Sequence, residues 1–96
     1  MRVIDFLQLI LDLDKQTRFF YQDKAKELIA ITEIKPTDSA VVLTTKKAST
    51  HALHQWELVT LLQTIQDKTI FMRISAENEA LPFYGIQLHD NVAYVK

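Results

Sequence analysis

Two histidines, His51 and His54, stand three residues apart in HALH, with Glu57 three residues further on. Residues three apart are neighbours on one helix face, so two imidazoles and a carboxylate there would form the beginning of a metal site or an acid–base pair. A metal needs more. The HExxH arrangement is absent, and a further ligand would have to come from His89 through folding. The expected reading is a solvated helix start that binds no metal. The other acid pairs, Asp12 with Asp14 and Glu77 with Glu79, fall at an element end or in a loop, where solvated carboxylates are the rule.

Composition removes several chemistries outright. One glycine, Gly85, is too few for glycine-rich phosphate loops or a dinucleotide fingerprint, and no serine stands beside it at nucleophile-elbow spacing. With no cysteine, disulfides, thiol nucleophiles and the common structural zinc sites are excluded together. No catalytic residue, cofactor-binding residue or metal ligand is assigned, and no cofactor is expected. The chain reads as a non-enzyme, with an enzyme of unrecognised type as one alternative.

Two small basic spots, Lys24 with Lys26 and Lys46 with Lys47, accompany the strand aromatics Phe19, Phe20 and Tyr21. In outline this is a single-stranded nucleic-acid platform. Asp23, Glu27 and Glu33 are interleaved, the net charge is -1, and strand aromatics more often belong to a core. Nucleic acid is therefore not the expected partner, and a nucleic-acid-associated accessory role is the first alternative, ahead of the unrecognised enzyme.

The elements that must position these residues follow from periodicity. At 96 residues, 48% hydrophobic and 24% charged, the chain is expected to be one folded domain, 1–96. Val3 to Leu13 is apolar, but Asp5 and Asp12 interrupt it, and no stretch is long enough to span a bilayer or ends in a small-residue cleavage site. It reads as a core helix in a cytoplasmic protein. The runs TRFFYQ (17 to 22), LIAITEIK (28 to 35) and AVVLTT (40 to 45) are rich in β-branched and aromatic residues and read as strands. Pro36, Thr37, Asp38 and Ser39 join the last two as a hairpin. After a connector, 46–50, in which Ser49 or Thr50 could cap, a helix runs through Trp56, Val59, Leu62 and Ile65. TIFMRI (69 to 74), a segment from Pro82 to Leu88, and VAYVK (92 to 96) then resume the strand pattern, the last two joined across His89, Asp90 and Asn91.

The same order appears twice. An offset of 52 aligns residues 1–44 with 53–96 and superposes 17 apolar positions, against about 11 for chance pairing of two halves with 22 apolar residues each. Only six positions are identical: Leu9/Leu61, Thr17/Thr69, Phe19/Phe71, Glu27/Glu79, Ile34/Ile86 and Asp38/Asp90. The expected fold is α+β, two tandem α-β-β-β units (1–45 and 51–96) by internal duplication, with an antiparallel sheet packed by two helices. Ile29, Ile31 and Ile34 match Leu81, Phe83 and Ile86, and the break in alternation predicts a β-bulge near Glu33 and another near Gly85.

The opening MRVIDFLQLILDLDKQTRFFYQD resembles that of short α+β accessory proteins carried by phages and other mobile elements of Gram-positive bacteria. Those chains begin with an M-x-V-x-x-(F/L)-(L/I) helix, pass an L-D-x-x-(T/A) turn and enter a strand. The resemblance covers about a quarter of the chain. It implies a small cytosolic protein and transfers no catalytic residue. The second half departs from the pattern at Trp56-Glu57 and Gln66-Asp67.

Function is expected to follow from apolar excess. Ile70, Met72 and Ile74 project from one strand opposite Phe71, and AVVLTT is apolar on both faces. Two helices can cover only one face of a six-stranded sheet, so the other needs a second sheet layer, a second copy or another partner. The expectation is a small non-catalytic protein-interaction or assembly module, a homo-oligomer such as a homodimer, working through that strand face.

Overall fold

The computed structural model describes residues 1–22, 25, 27–46, 51–73 and 79–96. These residues form helix α1 (Val3–Ile10), strands β1 (Arg18–Gln22), β2 (Leu28–Pro36) and β3 (Ala40–Lys46), helix α2 (Gln55–Leu62), and strands β4 (Thr69–Arg73), β5 (Ile86–His89) and β6 (Val92–Val95). The fold is mixed α+β.

Helix α1 forms because Val3, Phe6, Leu7 and Ile10 recur at helical spacing and are all buried. Phe6 meets Phe19 of β1 edge-on at 6.2 Å and Phe83 at 5.5 Å between ring centroids. Neither helix is started by Ser or Thr. The predicted caps Ser49 and Thr50 lie outside the described residues, and the N-caps are Arg2 and His54, both in extended conformation. The first amides of each helix donate instead to the turn that follows the other helix: Val3 N to Lys68 O at 2.8 Å and Ile4 N to Gln66 O at 3.1 Å, Gln55 N to Thr17 O at 2.8 Å and Trp56 N to Lys15 O at 3.4 Å. The two helix starts are thus capped reciprocally.

The sheet order is β4-β3-β2-β1-β6-β5. Pairs β2–β3 and β5–β6 are antiparallel, as the hairpins predict, and so is β1–β2, but β3–β4 and β1–β6 are parallel. The expectation of an antiparallel sheet is therefore corrected to a mixed one. The physical reason is α2: a helix placed between β3 and β4 carries the chain back along the sheet, so the next strand runs in the same direction. The expected strand from Pro82 to Leu88 is also shorter, starting at Ile86.

The sheet curls. Before β5, Leu81 meets β4, with Met72 N to Leu81 O at 2.8 Å and Leu81 N to Met72 O at 2.6 Å. Phe19, Ile31, Val41, Leu43, Ile70, Met72, Ala93 and Val95 turn inward and form one buried cluster with Phe83 and the apolar sides of both helices. Between β1 and β2 the pairing ends at Phe20↔Ala30, and Leu53 fills the gap beyond it, accepting from Phe19 N at 3.0 Å and donating to Ile31 O at 2.8 Å.

The halves correspond bond by bond. Adding 52 turns the pairs Ile34↔Leu43, Lys35↔Val42 and Pro36↔Val41 into Ile86↔Val95, Gln87↔Tyr94 and Leu88↔Ala93. The parallel pairs Val41↔Ile70 and Ala93↔Phe19 are related in the same way, with 51 in place of 52 for β1 and β4. The isolated bridges Arg2↔Thr69 and Arg18↔His54 obey the same offsets. The bulges correspond too. Ile31 faces Thr45 and Glu33 faces Thr44, leaving Thr32 as an extra residue, while Tyr84 and Gly85 both donate to Lys96 O at 3.0 and 3.3 Å. The extra residue lets Ile34 and Ile86 pack on the core again. Glycine is not what makes the second bulge possible: Gly85 has no positive φ, and a Cβ there would meet nothing within 4 Å.

Candidate functional site

The strand face expected to bind a partner is interior. Ile70 and Met72 are buried in the core cluster, and Ile74 lies outside the described residues. Curling is the cause: a sheet bent until β4 meets Leu81 encloses its own inner face, so two helices and Phe83 suffice as cover. That contact set is withdrawn.

The three histidines do not assemble. His54 bridges Arg18, Arg18 pairs with Val92, and Val92 pairs with His89, so His54 and His89 sit three strand spacings apart, about 14 Å. His51 is exposed, ahead of the N-cap. Among the described residues no three His, Cys, Asp or Glu side chains are grouped to hold a metal. His54 and Glu57 form a local device: Glu57 Oε1 accepts from the His54 backbone N–H at 3.0 Å and lies 2.8 Å from His54 Nδ1. The backbone bond, then the imidazole, lower the Glu57 pKa below the usual carboxylate value. This is the glutamate half of a capping box, and it organises the start of α2. His89 and Asp90 are 3.9 Å apart on the surface, Asp90 adopting φ 56° in the β5–β6 turn. Asp12, Asp14 and Glu79 are exposed, and Glu77 lies outside the described residues.

Two surface features remain. The first is a groove of 360 Å³ between the helices, lined by Ile4, Leu7, Leu11 and Val59 with the amides of Gln8, Gln63 and Gln66. No ionisable side chain lines it. Leu11 is 54% exposed at its edge, and Leu9 and Leu61 are also exposed on the helices. Two lining pairs follow the correspondence of the halves, Leu7 with Val59 and Leu11 with Gln63, whereas the counterparts of Ile4, Gln8 and Gln66 do not line the groove.

The second feature is on the outer face of the sheet. Of the aromatics Phe19, Phe20 and Tyr21, Phe19 is core, Tyr21 packs against the core and only Phe20 points outward. Lys46 is exposed, whereas Lys24, Lys26 and Lys47 lie outside the described residues. The group around Phe20 was not legible as a motif. Arg18 lies over the Phe20 ring at 6.0 Å, and Tyr94 is the pairing partner of Phe20 on β6. On the other side of Arg18, His54 stacks with Trp56 at 6.4 Å and 20°. The sequence signal that could have found it is strand alternation, which sets Arg18 and Phe20 on the face opposite Phe19.

Among the described residues no helix is long and apolar enough to cross a membrane. No known protein family, curated protein or solved structure matches the chain.

Proposed function

We propose that this chain is a non-catalytic assembly module that pairs with a second copy of itself through the face made by α1 and α2. The observation that carries it is the uncharged groove between the helices, with the exposed Leu11 at its edge. An apolar, charge-free surface offers no repulsion to a copy of itself. In a twofold dimer the same patch serves both partners, so one groove face suffices for the interface. The groove replaces the strand face as the contact.

We also infer that the chain arose by duplication of one α-β-β-β unit. The repeated pairings, bulges and helix starts at offsets of 52 and 51 support this more strongly than the six identities do.

Sedimentation of the full chain, with Leu11→Lys and the control Leu88→Lys on β5, tests the assembly. The wild type and the control should form a dimer and Leu11→Lys a folded monomer, since each exposed leucine side chain contributes about 1 kcal/mol when its remaining surface is buried. A wild type that is monomeric at millimolar concentration, or a Leu11→Lys dimer of undiminished affinity, overturns the reading.

A further inference from the structure

We propose that the outer face of β1 and β6, extended by the start of α2, is a stacking platform for single-stranded nucleic acid. Two side-chain contacts and two backbone pairings bring the residues of this ridge together: Trp56 stacks on His54, the His54 backbone bridges that of Arg18, the Arg18 guanidinium covers Phe20, and Phe20 is paired with Tyr94 across β1 and β6. Trp56 is 49% exposed, and Phe20 and Tyr94 are half-buried, held by the sheet at their edges. Beside them Tyr84 is 78% exposed, placed outward by the bulge opposite Lys96. Flat rings held on a rigid sheet accept bases of any sequence, because every base presents a π-face.

Charge selects a polyanion over other ligands that stack. Strands β1, β5 and β6 contain no carboxylate, whereas Arg18 and Lys96 are exposed along the ridge. The carboxylate of Glu57 is taken up by His54; among the described residues Asp14 and Asp90 stand in turns and Glu33 is exposed on the neighbouring β2. The chain is almost neutral as a whole, and the cations this face offers are Arg18 and Lys96. Gln22 and Gln87 place neutral amides on the same face, suited to base edges. A neutral oligosaccharide would also use aromatic rings and amides, but it has no use for the cations.

The probe is a fluorescein-labelled twelve-nucleotide oligothymidylate, titrated with the full chain at several salt concentrations and read by anisotropy. Binding should weaken with salt, and Trp56→Ala should weaken it about fivefold or more, the scale of one lost base–aromatic stack. Arg18→Gln should flatten the slope of log K against log salt by about 0.7, one phosphate's share for a single strand. Lys35→Gln, off the ridge, should change the affinity far less than Arg18→Gln. Circular dichroism checks folding, and Tyr84→Ala, at the most exposed ring, stands in should Trp56→Ala fail to fold. No binding at high micromolar protein in low salt overturns the proposal. So does binding unchanged by both ridge variants, or salt-independent binding of maltoheptaose in place of the oligonucleotide.

Discussion

Gln55 is the first residue of α2 and is buried, yet its amide does not serve its own helix. Its Nε2 donates to Ile10 O at 3.0 Å, which also accepts from Leu13 N at 3.1 Å, and to Leu11 O at 3.4 Å, so it ties the end of α1 to the start of α2. Gln55→Met keeps the volume and removes both donors. The loss is about 2 kcal/mol, from one good hydrogen bond, one weak one and the Leu11 carbonyl left without that donor, while Ile10 O keeps the Leu13 N–H at 3.1 Å. For a domain of this size that lowers Tm by about 10 °C. Gln55→Glu adds a charge. Its carboxylate would face two carbonyl oxygens at the negative end of α1, away from water, so its folded pKa should rise above the unfolded value of about 4.3. The sign then follows: stability is fully present below the unfolded pKa and is lost as pH rises through the folded one. Gln55→Glu should lie between wild type and Gln55→Met near pH 4, where a protonated acid still donates one bond, and be clearly less stable at pH 7. Calorimetry or thermal circular dichroism at both pH values reads this directly. Equal Tm for wild type and both variants at pH 7, or a Gln55→Glu protein indifferent to pH, would refute the reasoning.

Glu57→Gln should cost about 1 kcal/mol at pH 7, because it weakens the bonds to the His54 N–H and imidazole and removes a negative charge from a helix start. The folded pKa of Glu57 is lowered, so its contribution is present above the unfolded pKa and is lost as pH falls through the folded one; the gap in urea stability should therefore close towards pH 3, and a gap that persists there contradicts the assignment. Gly85→Ala should leave stability within about 0.5 kcal/mol, since the added Cβ enters open space at an ordinary φ, and a loss well above 1 kcal/mol in the same urea assay would show a backbone demand that the pairing does not reveal.

What the sequence made legible is what repeats locally. The spacing of Val3, Phe6, Leu7 and Ile10 identifies α1, alternation groups Val41 with Leu43 and Ile70 with Met72 without saying that those faces are inner, and the shared break before Ile34 and Ile86 locates both bulges. What it hid depends on distant segments meeting. Nothing in TIFMRI says that its edge will meet Leu81, so a sheet with one face uncovered was expected and Ile70 and Met72 were assigned to a partner. The parallel pairs were hidden for the same reason, since hairpin signals report only neighbours along the chain. The Trp56–Phe20–Tyr94 ridge draws one or two residues from each of three separated segments, and two-residue fragments carry no pattern of their own. Pairs such as His51 and His54 attracted notice through adjacency in sequence, whereas the fold sets His54 to capping and keeps His89 across the sheet.

Reciprocal capping of the helix starts has a consequence for how the chain comes into being. During synthesis residues 1–45 leave the ribosome first, yet the first amides of α1 await carbonyls of residues 66 and 68, and β1 awaits β6 at the far end of the chain. The early half can form only its own three-stranded meander, with Val41 and Leu43 still lacking β4 and Phe19 lacking Ala93. Closure is therefore deferred until the last strand is made, and its loop entropy is met all at once. Two similar units that complete each other behave as one cooperative body, so partial products of translation are the species most exposed to aggregation and to exchange of halves between neighbouring chains.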